Sequence, residues 1–249
     1  KQGEGPGWEG VAVGIAEMNR RNNELAVAHF RRVMAQAPAE SALLPAARQW
    51  LALAQLLQGD SAGAVETLRG LAKSPAMRST SLLWTVVIQT RQGEKQEAAQ
   101  ALAQCAMQEV VAGGRLVFEG TLDDQTLYDG AVAAIAIGKF DMARRMLETL
   151  QQRNPNGGDV SVWLALLTGA QGNWQTMRNE LFAACDEGTV PSRSLANQLM
   201  TVVCALEGRP EAMIEYMLAG QRLMGKDSSS NHVVNMPKPE QVWFSDSMK

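Results

Sequence analysis

Few side chains in this chain could do chemistry, and none has the neighbours that catalysis or metal binding requires. His29 and His232 are its two histidines, and neither has a second ligand at helical spacing. His29 stands beside Phe30 in an apolar helical stretch and reads as a packed residue, while His232 follows a Ser-rich run near the end of the chain. Cys105, Cys185 and Cys204 lie in apolar segments with no CxxC spacing, so they read as small core residues and not as a disulfide framework or zinc site. Asp123 and Asp124 form a paired carboxylate at the start of a helical stretch. Acidic groups there meet the positive end of the helix dipole, and capping explains them without acid–base work. Gly3, Gly5, Gly7 and Gly10 imitate a phosphate-cradling loop, but they follow no strand and lead to no GK[ST], which leaves them as linker. The expectation is a protein that is not an enzyme and uses neither metal nor cofactor.

Charge and hydropathy remove further classes. The 249 residues carry 23 basic against 26 acidic side chains, a net of −3, and the densest basic groups are the short pairs Arg20–Arg21, Arg31–Arg32 and Arg144–Arg145. A protein that tracks phosphates needs clustered cations, so no nucleic-acid partner is expected and the pairs read as solvated helix faces. No run of eighteen apolar residues occurs, and polar residues interrupt even Leu43 to Leu57, so membrane insertion is not expected either. The odd number of thiols favours a reducing, cytoplasmic compartment, with the periplasm as the alternative if a signal preceded Lys1. Thirteen methionines fit core filling or an adaptable binding surface.

What the chain does carry is a recurring spacing that sets out its elements. Ala26, Phe30, Val33 and Pro38 stand at offsets of four, three and five, and Ala143, Leu147, Leu150 and Pro155 repeat them. Offsets of four and three define one face of a helix, and the proline marks its stop. A glycine able to take left-handed geometry precedes the key position by five residues in Gly59–Ala64, Gly93–Ala98, Gly138–Ala143 and Gly172–Met177. In two of these an aromatic, Phe140 or Trp174, follows the glycine by two and is expected to wedge between the paired helices. A sixth unit reads as Ala212, Tyr216 and Ala219, with Gly208 one residue late. The steps from Ala26 through Ala64, Ala98, Ala143 and Met177 to Ala212 are 38, 34, 45, 34 and 35 residues.

The long step predicts the layout: a lead-in over 1–6, hairpins one to three over 7–112, a non-helical insert over 113–123, hairpins four to six over 124–224, and an extended tail over 225–249. The insert reads as a joint between half-arrays, a loop filling the groove, or decoration. In the tail, Pro237 and Pro239 forbid a continuing helix, and Trp243 and Phe244 either fold back on the last hairpin or form a motif that another protein captures.

A 34-residue helix-turn-helix period with a small residue, a bulky one, another compact one and a proline resembles the tetratricopeptide repeat, over roughly residues 7 to 220 in about six degenerate units. The resemblance implies an all-α fold: a right-handed superhelical solenoid of antiparallel helix hairpins whose first helices line a concave groove. It also implies that the groove binds an extended peptide or a helix of another protein. Candidate lining residues are Asn19, Gln49, Leu83, Val87, Arg91, Gln125, Tyr128 and Asn197, with Trp243 and Phe244 added from the tail. A register shift of one residue would turn several of these into core. Arg91 is the one clear cation on this lining, so a clamp for a terminal carboxylate is not expected, and an apolar or amphipathic segment is the better occupant. Met177, in place of a small residue, is expected to push its two helices apart. The function expected is a non-enzymatic protein–protein interaction scaffold, and the Ala- and Gln-rich irregular repeats place it in a bacterial secretion, pilus or envelope assembly. A chaperone for an apolar subunit segment and a ligand- or peptide-sensing module are the alternatives.

Overall fold

A computed structural model of the protein describes residues 7–38, 40–111, 122–154, 160–186 and 188–227. Among them are twelve α-helices and no strand. In order they are α1 (Trp8–Asn19), α2 (Asn23–Gln36), α3 (Leu43–Leu57), α4 (Ser61–Leu71), α5 (Arg78–Gln92), α6 (Lys95–Val111), α7 (Leu122–Ala136), α8 (Phe140–Arg153), α9 (Val160–Ala170), α10 (Trp174–Ala184), α11 (Val190–Leu206) and α12 (Pro210–Asp227), with one 3-10 turn at Pro75–Met77. Consecutive helices pair into six hairpins, and each hairpin packs on the next, as a tetratricopeptide-like array requires.

One turn closes all six pairs. Gly59, Gly93, Gly138, Gly172 and Gly208 take φ between 68° and 89°, a region where a side chain is strained. Each donates its N–H three residues back, and the following N–H reaches five back, as in Gly59 to Leu56 O at 2.9 Å and Asp60 to Gln55 O at 2.8 Å. These bonds satisfy carbonyls that the helix end leaves open. In the first hairpin Arg21 holds the same place with φ 63°, bonding to Met18 O, so one turn runs on a strained non-glycine residue.

The turn also sets the register, and it moves the sixth unit. Met213 donates to Arg209 O at 3.0 Å just as Ala64 donates to Asp60 O at 3.0 Å. The buried face of α12 is therefore Met213, Met217 and Gly220, while Ala212, Tyr216 and Ala219 are only half-buried. Gly208 is not late, since the expected register was one residue early. Met177 does not splay its hairpin either, because the space it takes is left by Gly169 on the facing helix: a Cβ there would lie 2.3 Å from the Met177 sulfur. Gly14 makes the same room for Phe30. The boundaries shift slightly as well. α7 starts at Leu122, so Leu122 and Asp123 are helical, and α12 runs on to Asp227. The rest of the expected insert and of the tail lies outside the described residues.

Stacking of neighbours covers one side of each first helix, but several are covered on every side. All residues from Trp50 to Leu56, from Val162 to Ala170 and from Leu199 to Ala205 are buried. The extra cover comes from across the array: α11 packs on α3 and α5, α9 packs on α5 and α6, and α1 meets α12. The array curls until its later first helices seat on its earlier ones, so the would-be concave face becomes core. This is why α9 is apolar nearly all round and α3 and α11 bury seven-residue runs in their second halves, whereas second helices such as α8 bury one stripe. At the seam, the exposed Arg21 guanidinium lies 3.4 Å from Glu211.

Candidate functional site

Closure decides what the expected lining residues can touch. Leu83 and Val87 are buried in α5, Tyr128 is 3% exposed and Asn197 5% exposed. The Tyr128 hydroxyl accepts from the Trp163 indole N–H at 2.9 Å, and Asn197 donates back to Arg193 O at 2.7 Å. Leu83 and Val87 are covered because α9 and α11 pack on α5, Tyr128 bonds to α9, and Asn197 belongs to α11 itself, so all four serve internal packing in this conformation. Asn19, Gln49 and Gln125 are half-buried, and Gln125 donates to Asp129 at 2.8 Å. Arg91 is exposed, with its guanidinium 5.3 Å above the Trp174 ring, so the cation ties α5 to α10. Trp243 and Phe244 lie outside the described residues.

Concavities remain elsewhere on the array. α4 and α6 both pack on α5 without packing closely on each other, and between them opens a cleft of about 320 Å³. Its floor is the stripe Ser81, Thr85 and Gln89 on α5, one wall is Glu97, Gln100, Ala101 and Gln104 on α6, and the other is Val65, Leu68 and Arg69 on α4 with Ala72 just after it. Helical geometry places Ser81, Thr85 and Gln89 in one row, four residues apart. Ser81 donates to Met77 O at 2.7 Å and Thr85 to Ser81 O at 2.9 Å, so both hydroxyl protons are spent on backbone and the oxygens remain acceptors. Gln89 Oε1 is buried and has no partner. The rim charges Arg69 and Glu66 pair with each other. A larger hollow of about 680 Å³, lined by Arg21, Asn22, Glu24, Leu25 and Asp60, lies along the turns and has mixed charge.

The sequence carries a signal for the cleft wall that the repeat spacing does not use. Gln96, Gln100, Gln104 and Gln108 recur every fourth residue along α6, a row of uncharged amides on one face. Reading the apolar face alone passes over it.

The titratable groups offer little reactivity. Burial pushes the Cys185 thiol up to about 12 and the Cys204 thiol up to about 11, and neither of these two buried thiols is in a disulfide. Thiols of this kind stay protonated and inert. Among the described residues no cluster of His, Cys, Asp or Glu could hold a metal ion, and no helix is long and apolar enough to cross a membrane.

Residues 46–75 match a family model described as tetratricopeptide repeat. No curated protein and no solved structure matches the chain. The matched stretch covers most of the α3–α4 hairpin and ends at Pro75, and helix hairpins closed by the same left-handed turn recur along the described residues on both sides. Repeats of this type are in general non-enzymatic modules that bind other proteins, and the chain is similar to them from its second hairpin outward.

Proposed function

We propose that this chain is a non-enzymatic scaffold that holds a partner protein on the outer, second-helix side of its array. The observation that carries this reading is the burial of every residue over Trp50–Leu56 of α3, Val162–Ala170 of α9 and Leu199–Ala205 of α11. Opening the array for a partner would expose about half a dozen large apolar side chains at about 2 kcal/mol each, on the order of 10 kcal/mol. That is comparable to the whole stability of an ordinary domain, and more than a short segment returns on binding. The outer side, by contrast, offers the α4–α6 cleft and exposed apolar side chains such as Phe182 and Met142. The setting we infer, from the Ala- and Gln-rich irregular repeats, is a bacterial secretion, pilus or envelope assembly.

The test is photo-crosslinking in the native host, with a benzophenone side chain placed in turn at the outer positions Gln104, Met142 and Phe182 and at the inner rim positions Gln49 and Arg91. The expected result is one stoichiometric adduct from an outer position and none from the rim. Adducts from Gln49 and Arg91 alone would return the partner to the concave face.

A further inference from the structure

We infer that the exposed face of α6 from Gln100 to Val111 docks an uncharged amphipathic helix of a partner protein. The inference rests on the outer-side reading above and names its contact. Met107, Val110 and Val111 stand at helical offsets of three and four and are 44%, 47% and 79% exposed. Gln100 and Gln104 continue the same face toward the start of the helix, and both are exposed. From Gln100 onward no charged residue falls on this face by helical spacing. The exposed faces of four other second helices differ, since each carries charge, such as Arg31 on α2, Glu66 on α4, Arg145 on α8 and Glu215 on α12. Charged residues are depleted at the centre of protein interfaces, and adjacent large apolar side chains left in solvent mark such a surface.

The face itself selects its occupant. α6 pairs its own main chain, so the ridge gives an extended segment no backbone groups to bond, and the occupant must satisfy its amides internally. A helix does so, and it packs ridge into groove on another helix, as the neighbours within this array do. From Gln100 to Val111 the ridge rises about 16 Å, roughly three turns, which matches the apolar stripe of a short amphipathic helix. An ion set against this face would lose water without finding a counter-charge, so the stripe is apolar and its flanks are uncharged. The face is left bare because α6 has 17 residues and α4, across the cleft, has 11, so the last turns of α6 outrun that neighbour. Three side chains of this size expose on the order of a few hundred Å², too little for a pair of folded copies, which bury about 800 Å² each when stable.

The probe is the peptide acetyl-Gln-Leu-Ala-Gln-Leu-Leu-Gln-Gln-Leu-Ala-Gln-Leu-Leu-Gln-amide, titrated into the full chain and followed by NMR at methyl groups and by circular dichroism. Saturable shifts are expected at Met107, Val110 and Val111, with a gain in helix signal as the peptide binds. Val111→Lys should cut the affinity about tenfold and leave the melting temperature unchanged, because that side chain already lies in water. Met142→Lys, also exposed but on the charged face of α8, should change neither. A version of the peptide with proline at its centre should not bind. Equal binding of the proline version, tighter binding when lysines replace the glutamines, or the absence of shifts on α6 would overturn the inference. So would a concentration-dependent dimer of the chain alone that Val111→Lys abolishes, since the face would then belong to a second copy. In the native host, crosslinks from Met142 or Phe182 with none from a benzophenone at Val111 would sink this surface and leave the scaffold standing; absence of adducts from every outer position would sink the scaffold itself.

Discussion

α8 and α9 follow one another in the chain and solve opposite problems. α8 buries Ala143, Leu147 and Leu150 and shows Arg145, Glu148 and Gln151 to solvent, whereas α9 buries every residue from Val162 to Ala170. Both are helices of the same kind of hairpin, so the repeat pattern alone does not separate them. The difference is one of layer: α8 leans on one neighbourhood, while α9 is held between its own hairpin and the α5–α6 pair. A helix apolar on all sides within a repeat array therefore marks where the array touches itself. That is why the groove is absent where the repeats alone would place it.

The sharpest way to break this comparison is to charge both layers. Leu166→Asp places an unpaired carboxylate at a position 1% exposed and should cost about 3–5 kcal/mol, leaving little folded protein by circular dichroism. Met142→Asp, at 51% exposure on α8, should keep stability within about 0.5 kcal/mol. Equal losses would mean that α8 is covered too. Next comes the exchange of bulk between Gly169 and Met177. Gly169→Ala should destabilise by about 1–3 kcal/mol in urea, and adding Met177→Ala should recover part of that loss, because the two side chains claim one space. Additive losses would break the link. Trp163→Phe removes the 2.9 Å bond to Tyr128 between α9 and α7 and should cost about 1 kcal/mol on the same urea curve.

The smaller effects are in the first turn, where the array lacks its usual glycine. Arg21→Gly should raise stability by about 0.5–1 kcal/mol by relieving φ 63°, and a fall would show that the pair with Glu211 outweighs the strain. Glu17 gives the least. Its carboxylate accepts from Asn22 at 2.8 Å and from Arg20 at 3.0 Å, and these two hold it below the ordinary value of 4.5, the Asn22 bond more than the Arg20 one. A depressed folded pKa means a contribution present above the unfolded value and lost as pH falls through the folded one. Thermal melts of Glu17→Gln should therefore converge with wild type as pH drops below 4.5 and lie slightly lower above it.

Much of the hairpin level was legible from residues alone, and its errors are instructive. The face Ala26, Phe30, Val33 and the glycine offset were readable because both signals act within one turn of chain, through helical period and left-handed geometry. The sixth unit differs because Ala212 has the type expected of the small residue, while Met213 holds the place and is fully buried, as Met177 is opposite Gly169 in the fifth. Residue type misleads there, since packing balances volume across two helices and not at one position. Of the expected binding residues, Leu83, Val87, Tyr128 and Asn197 are buried because lining and core share one face of a first helix. The cleft went unread for the complementary reason: its glutamine row is polar, and the apolar pattern ignores it.

The sequence by itself determined that this chain is helical, where each hairpin turns, and which stripe joins its two helices, because those are decisions taken over four or five residues. Only the tertiary structure decided that the first helices close on one another and that the outer side keeps an amide-lined cleft. Closure depends on small rotations between successive hairpins that add up across the array, so no single residue or spacing records it.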